Sequence, residues 1–206
     1  MLFNSYEFIF VFLPISFFVY FSLNSARLTI ASKAWLVFAS LFFYSWWNVI
    51  YLPLILTSIL FNYTITNAMI EYDHSKKYFS KKLLLQIGLL FNVGLLVYFK
   101  YMDFFISNTN SVLGSEIGLL HLALPLAISF FTLQQITFLI DSYEGLVKEK
   151  NFLDYAIFVT FFPQLIAGPI VHHKEMMPQF SSVNNKVKNY QNISLGLFIF
   201  SIGLFK

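Results

Sequence analysis

The chain contains no cysteine. Disulfides and thiolate metal sites are therefore excluded, and the redox compartment is left open. Charge is nearly as scarce. Only 11% of the 206 residues are Asp, Glu, Lys or Arg, against roughly a quarter in a soluble domain. There is no GxSxG, Walker or GxGxxG pattern, so no hydrolase elbow or phosphate cradle is legible. Acidic residues come singly rather than in catalytic pairs, and no repeat or heptad stands out. The amino terminus also lacks the marks of a cleavable signal. MLFNSYE carries Glu7 but no Lys or Arg, and no small-residue cleavage site follows the first apolar run, so that helix is expected to stay.

What is present is apolar. Hydrophobic residues make up 58% of the chain, 27 of them Phe, and the mean hydropathy is +0.69. Several runs approach the roughly 20 residues that span a bilayer. These features imply an all-α polytopic membrane protein, with about six to seven transmembrane or re-entrant helices in one membrane domain over 1–206. The spans are expected near Phe8–Leu23, Ala34–Trp47, Leu54–Ile70, Leu83–Phe99 and Leu119–Ile140, with a last apolar run at Asn192–Phe205. Met102–Gly118 reads as a long connection, and FFYSWW, closing the second span, suits the membrane–water interface. The formal charge of +3 does not point to nucleic acid, because the basic residues sit in short loops where they set topology.

One stretch breaks the pattern. Phe161–Phe180, FFPQLIAGPIVHHKEMMPQF, starts apolar, breaks at Pro163, turns at Gly168-Pro169 and runs into a polar segment. In lipid a broken backbone is tolerated only against protein or a water-filled cavity, so this stretch is expected to wall a cavity. The basic residues decide its path. If it crosses fully, eight Lys and Arg face four; if 155–180 re-enters and returns, eleven face one, with Lys206 set aside in both counts. The positive-inside rule favours re-entry, with the amino terminus outside and His172–Glu175 near the cytoplasmic face.

Within the spans, Asn62 and Thr66 share a helix face, which suits helix packing better than a pore lining. Gln134 and Gln135 at membrane depth need partners. His74 lies in a charged loop and His121 at the start of the fifth span. His172 and His173 are adjacent, so they point in different directions and make a poor metal clamp; zinc-binding pairs on a helix are spaced i, i+4. No metal is expected. Either histidine reads as a loop residue bonded to backbone, or as a ligand contact or general base at a cavity mouth. Asp141 and Glu144 read as interfacial.

Several blocks, in order, resemble the membrane-bound O-acyltransferases: LFFYSWWN, SILFNYTI, NVGLLVYFKYMDFF, LPLAISFFTLQQITFLIDSYEG and FFPQLIAGPIVHHKEMMPQF. The likeness is nearest to the bacterial branch that acetylates alginate and other extracellular polysaccharides. The resemblance implies part of a tunnel fold in a bacterial plasma membrane. It implies an acyl-CoA donor, acetyl-CoA first, no bound cofactor, and a hydroxyl acceptor on a polysaccharide reached through a separate periplasmic or surface protein. Membrane lipid is the surroundings. As tunnel-wall or substrate-binding positions the resemblance suggests Gln164, Gly168, Pro169 and His172, with His173 and Gln134 beside them. The family's essential histidine lies in a Trp-His-Gly context that this chain lacks, so no catalytic residue is assigned and that histidine is expected beyond Lys206. The expectation is an amino-terminal portion, inactive alone. The alternative is a non-catalytic membrane scaffold or channel component.

Because the chain has no cysteine, a single Cys introduced at Lys174 reports topology without background. A membrane-impermeant thiol reagent is expected to label it from the cytoplasmic side; labelling from outside alone would overturn the re-entrant path.

Overall fold

The computed structural model describes residues 2–71, 80–147, 151–165, 168 and 173–205; within them every regular element is helical. A π-type turn at Phe8–Phe12 leads into α1 (Leu13–Ser25). Pro14 has no N–H to give the preceding turn, and the widened turn accommodates its ring. Helix α2 (Thr29–Trp47) runs back against α1, and α3 (Leu52–Ile70) follows a single 3₁₀ turn. Helix α4 (Lys81–Leu96) starts at Ser80, whose hydroxyl accepts from the Leu83 N–H at 3.1 Å. It continues through a π-type turn into α5 (Met102–Leu113). Then come α6 (Ile128–Tyr143), α7 (Phe152–Thr160), the single turn α8 (Phe162–Leu165), α9 (His173–Ser181) and α10 (Tyr190–Leu204). Among the described residues, three stretches are long and apolar enough to cross a membrane: Phe8–Ser25, Val49–Ile70 and Lys81–Leu113.

Two boundaries differ from the sequence expectation. Much of the connection expected at Met102–Gly118 is helix, to Leu113. Its polar residues bond within the helix, with Asn108 Nδ2 donating to the Phe104 carbonyl at 2.7 Å and Ser111 Oγ to Ser107 at 2.9 Å. Conversely, the fifth span starts at Ile128, not Leu119. Asp103 takes the backbone N–H groups of Leu120 and His121 at 2.8 and 3.0 Å, and Asn110 grips both backbone groups of Ile117. Those groups are then lost to a helix, and Pro125 disfavours helix in the residue before it. His121 accordingly sits at φ +47 in this loop rather than in a span.

The short helix α7 sets the geometry that follows. Its nine residues rise about 13 Å, less than half a hydrocarbon core. At its start Asp154 pairs with Lys33 near the start of α2, 2.5 Å apart and largely buried. Just past its end the Phe162 N–H donates to Ser40 Oγ at 3.2 Å, and the Phe162 ring packs on Phe12, Phe43 and Phe8. Ser40 lies seven residues beyond Lys33, about 10 Å along α2. In α9, His173 touches Phe158 and Phe138, while Phe180 returns to Phe161. The expected interfacial cluster divides: Phe43 and Tyr44 are core, whereas Trp46 and Trp47 are exposed.

Helices α3, α4 and α6 meet on buried amides. Asn62 and Asn92 bond reciprocally, with Asn92 Nδ2 donating to Asn62 Oδ1 at 2.6 Å and the return bond at 3.3 Å. Gln135 Oε1 accepts from Asn62 and from Ser58 Oγ, the latter at 3.0 Å. Ser58, Asn62, Asn92 and Gln135 have no exposed surface. Beside them Leu139 fits against Gly88, where a Cβ would lie 2.7 Å from Leu139 Cδ1, so α4 and α6 approach closely. The face of Asn62 and Thr66 is thus a packing face, as the sequence suggested.

Replacing Asn62 with Leu strands Asn92 and Gln135 in lipid depth. A cost of about 1–2 kcal/mol is expected, seen as a lower melting temperature in detergent. Asn108→Leu, on an exposed face, serves as the control, and equal melting of the two variants would contradict the cluster's role.

Candidate functional site

The sequence singled out Gln164, Gly168, Pro169, His172, His173 and Gln134. Pro169, His172 and the loop histidine His74 lie outside the described residues. The remaining four fall in two places joined by α9.

The first place lies against α1. Gln164, half-buried on α8, lines a cavity of about 430 Å³ together with Ser16, Phe17, Tyr20, Met176 and Phe180. Gly168 packs directly on it. Its N–H donates to the Gln164 carbonyl at 3.0 Å, and a Cβ there would lie 2.7 Å from Gln164 Cα and 2.9 Å from its oxygen. Only glycine lets the chain fold this tightly over its own preceding turn. A second cavity, of about 490 Å³, lies further along α1 towards Phe3, between Pro163 and the end of α10. Leu13 and Phe162 line both cavities and separate them.

The second place centres on Phe138 of α6. The His173 ring meets Phe138 edge-on at 4.9 Å and Phe158 at 5.4 Å, and is buried. Tyr155 of α7 packs on the same Phe138 ring at 4.6 Å. Gln134 lies one turn before Phe138 and Asp141 about one turn after it, so helical geometry puts all three on one face. Both polar residues are buried. Asp141, expected at the interface, is instead covered by the bundle. Gln134 Oε1, Asp141 Oδ2 and the Tyr155 hydroxyl have no hydrogen-bond partner among the described residues.

Such atoms are expensive. A buried polar group left unpaired costs about 1–3 kcal/mol, and lipid offers it nothing. Two of them on one face of α6 and a third on the α7 residue that packs against Phe138 leave hydrogen-bonding capacity that water or a polar part of a ligand can meet. The groups can orient a hydroxyl, an amide or a thioester carbonyl by hydrogen bonds. None is a paired nucleophile and base. In the sequence the Gln134–Phe138–Asp141 spacing was the available signal for this face. Tyr155 carried none, because it joins through tertiary packing across the α6–α7 loop.

Comparison with known proteins gives a consistent picture. The model of MBOAT, the membrane-bound O-acyltransferase family, matches residues 9–206. A peptidoglycan O-acetyltransferase of Helicobacter pylori is 51% identical over 100% of this chain and 44% of its own length. A probable alginate O-acetylase AlgI of Pseudomonas putida is 35% identical, covering 100% of this chain and 42% of its own. The corresponding Pseudomonas aeruginosa protein is 33% identical, with 92% and 36% covered. The chain thus spans less than half the length of these relatives. No solved structure matches.

Gly168→Ala is expected to lower stability by about 1–3 kcal/mol, because backbone rather than a flexible side-chain end must move. Gly94→Ala, where nothing stands within 4 Å, is expected to be neutral or stabilising in its helix. Equal thermal midpoints for the two variants would show that the fold over Gln164 is looser than described.

Proposed function

The chain belongs to the membrane-bound O-acyltransferase family, and from that membership we propose that it forms the amino-terminal portion of an enzyme that acetylates hydroxyls of an extracytoplasmic polysaccharide. The observation that carries this is identity of 51% along the whole chain to a protein named as a peptidoglycan O-acetyltransferase. Relatives named for alginate share 31–35%. Peptidoglycan is therefore the acceptor we favour, and an alginate-like exopolysaccharide is the second reading. The donor is an acyl-CoA, acetyl-CoA first, entering from the cytoplasm of a bacterial plasma membrane. The acceptor side is served by a separate periplasmic or surface protein.

In this reading the amino terminus is outside and 155–180 re-enters. Two features support that path. Helix α7 starts at the Lys33–Asp154 pair and the chain reaches only to the level of Ser40. The chain then meets α6 and α7 again at His173. The unpaired buried atoms of Gln134, Asp141 and Tyr155 supply the polar lining that a donor path requires. His173 is a wall residue there, while Gln164 and Gly168 hold the turn that brings α9 back. The base that takes the acceptor's hydroxyl proton is a histidine in a Trp-His-Gly context, and the chain carries no such sequence. This portion alone is accordingly expected not to turn over acetyl-CoA.

Deleting the gene is expected to remove most O-acetyl groups from purified peptidoglycan, read as loss of O-acetylated muropeptides by mass spectrometry. Full acetylation of peptidoglycan, with loss from an exopolysaccharide instead, would transfer the assignment to the second acceptor. No loss from either polymer would sink both.

A further inference from the structure

We propose that the last turns of α3 and α6 hold one monovalent metal cation between Asp141, Asn67 and Thr66. The two helices run in the same direction, as their contacts with α4 show. At Asn92 of α4 the neighbour is Asn62 of α3, which also bonds Gln135 of α6. One turn back along α4, a Cβ at Gly88 would meet Leu139 of α6 at 2.7 Å and Ile65 of α3 at 3.5 Å. Ile65 and Leu139 therefore stand at one level. Asn67 and Asp141, two residues further along each helix, share the next. Their sides also converge. The Tyr155 ring packs on Tyr63 of α3 at 5.8 Å and on Phe138 of α6 at 4.6 Å. Asn67 lies one turn past Tyr63, and Asp141 about one turn past Phe138, each on the same side of its helix as that ring.

Asp141 Oδ2, Asn67 Oδ1 and Thr66 Oγ1 are buried and have no hydrogen-bond partner among the described residues. Asp141 is 9% exposed and Thr66 1%. Packed helix axes stand about 8–10 Å apart, so facing short side chains at one level leave room for an ion or a water. A carboxylate turned towards an amide oxygen is stable there only with positive charge between them. Described basic residues are engaged elsewhere. Lys33 pairs with Asp154, and Lys81 donates to the Tyr143 carbonyl at 2.5 Å, with its ammonium 5.3 Å from that residue's ring. The carboxyl ends of helices carry partial negative charge, and α3 and α6 both end here, at Ile70 and Tyr143. Oxygen donors suit a hard cation, and one carboxylate balances a single positive charge. Gln134 lies on the other side of Phe138 and takes no part. The site rests on helix packing alone, so it stands or falls apart from the acyltransferase reading.

The test measures the melting temperature of the 206-residue chain in detergent, in sodium, potassium and choline chloride at equal ionic strength. Sodium or potassium is expected to raise it by roughly 5 °C over choline, the shift given by a ligand well above its dissociation constant. The more effective salt identifies the ion. Asp141→Asn and Asn67→Leu are each expected to erase the difference, whereas Asn108→Leu keeps it. Equilibrium dialysis with the radioactive ion is expected to find it bound to the wild type and absent from Asp141→Asn. Equal melting in all three salts, with no ion retained, would overturn the proposal and leave a water or a direct Asn67–Asp141 bond in its place. So would a cation effect that survives both substitutions.

Discussion

Four side chains without exposed surface (Ser58, Asn62, Asn92 and Gln135) fix how α3, α4 and α6 stand to one another. Lipid tails are as apolar as leucine, so the hydrophobic effect cannot choose between alternative helix pairings inside a bilayer. Hydrogen bonds can, because an amide misplaced by one turn meets hydrocarbon. The reciprocal Asn62–Asn92 pair and the shared Gln135 acceptor are met in only one register. Everything nearby follows from that register. Leu139 falls opposite Gly88, and Phe138 is turned towards Tyr155 and Phe158 of α7.

Helix α7 is then a half-length element wedged into a full-length bundle. A charge pair anchors its start and an aromatic cluster stops its end, and these are different kinds of restraint. The Lys33–Asp154 pair is directional and largely buried. The rings around Phe162 are non-directional and fill space by edge-to-face packing. Between them they hold a backbone break at a depth where a free end would be intolerable. The polar atoms of the Phe138 face can remain unpaired within the described residues because this frame does not depend on them.

Much of this was legible in the sequence, for identifiable reasons. Apolar run length gave the membrane class; the break expected at Pro163 falls two residues earlier, at Phe161, with Pro163 inside α8. Periodicity on α3 gave the packing face. The family could be read from blocks such as LQQITFLIDSYEG, where helix-facing polar residues sit at characteristic positions. The failures have one source. The loop before α6 looked like membrane span because Leu119, Leu120 and Leu124 are apolar, and local composition cannot report that Asp103 and Asn110 reach across to seize its backbone. The Lys33–Asp154 pair joins residues 121 apart in the chain, and Asp141 is buried only once the bundle has packed. Such long-range pairings leave no periodic trace.

The continuous helix Lys81–Leu113 has 33 residues, about 50 Å of rise against about 30 Å of hydrocarbon. Hydrophobic mismatch of that size is too large for tilt alone to absorb. The polar run Ser107–Ser111 near its end marks where the helix leaves the lipid. Its tip therefore stands in the aqueous compartment as a fixed post, and the chain must descend again before α6 can begin. The Asp103 and Asn110 contacts tie that descending strand along the post. The end of this long helix thereby carries a loop stiffened along it by backbone hydrogen bonds.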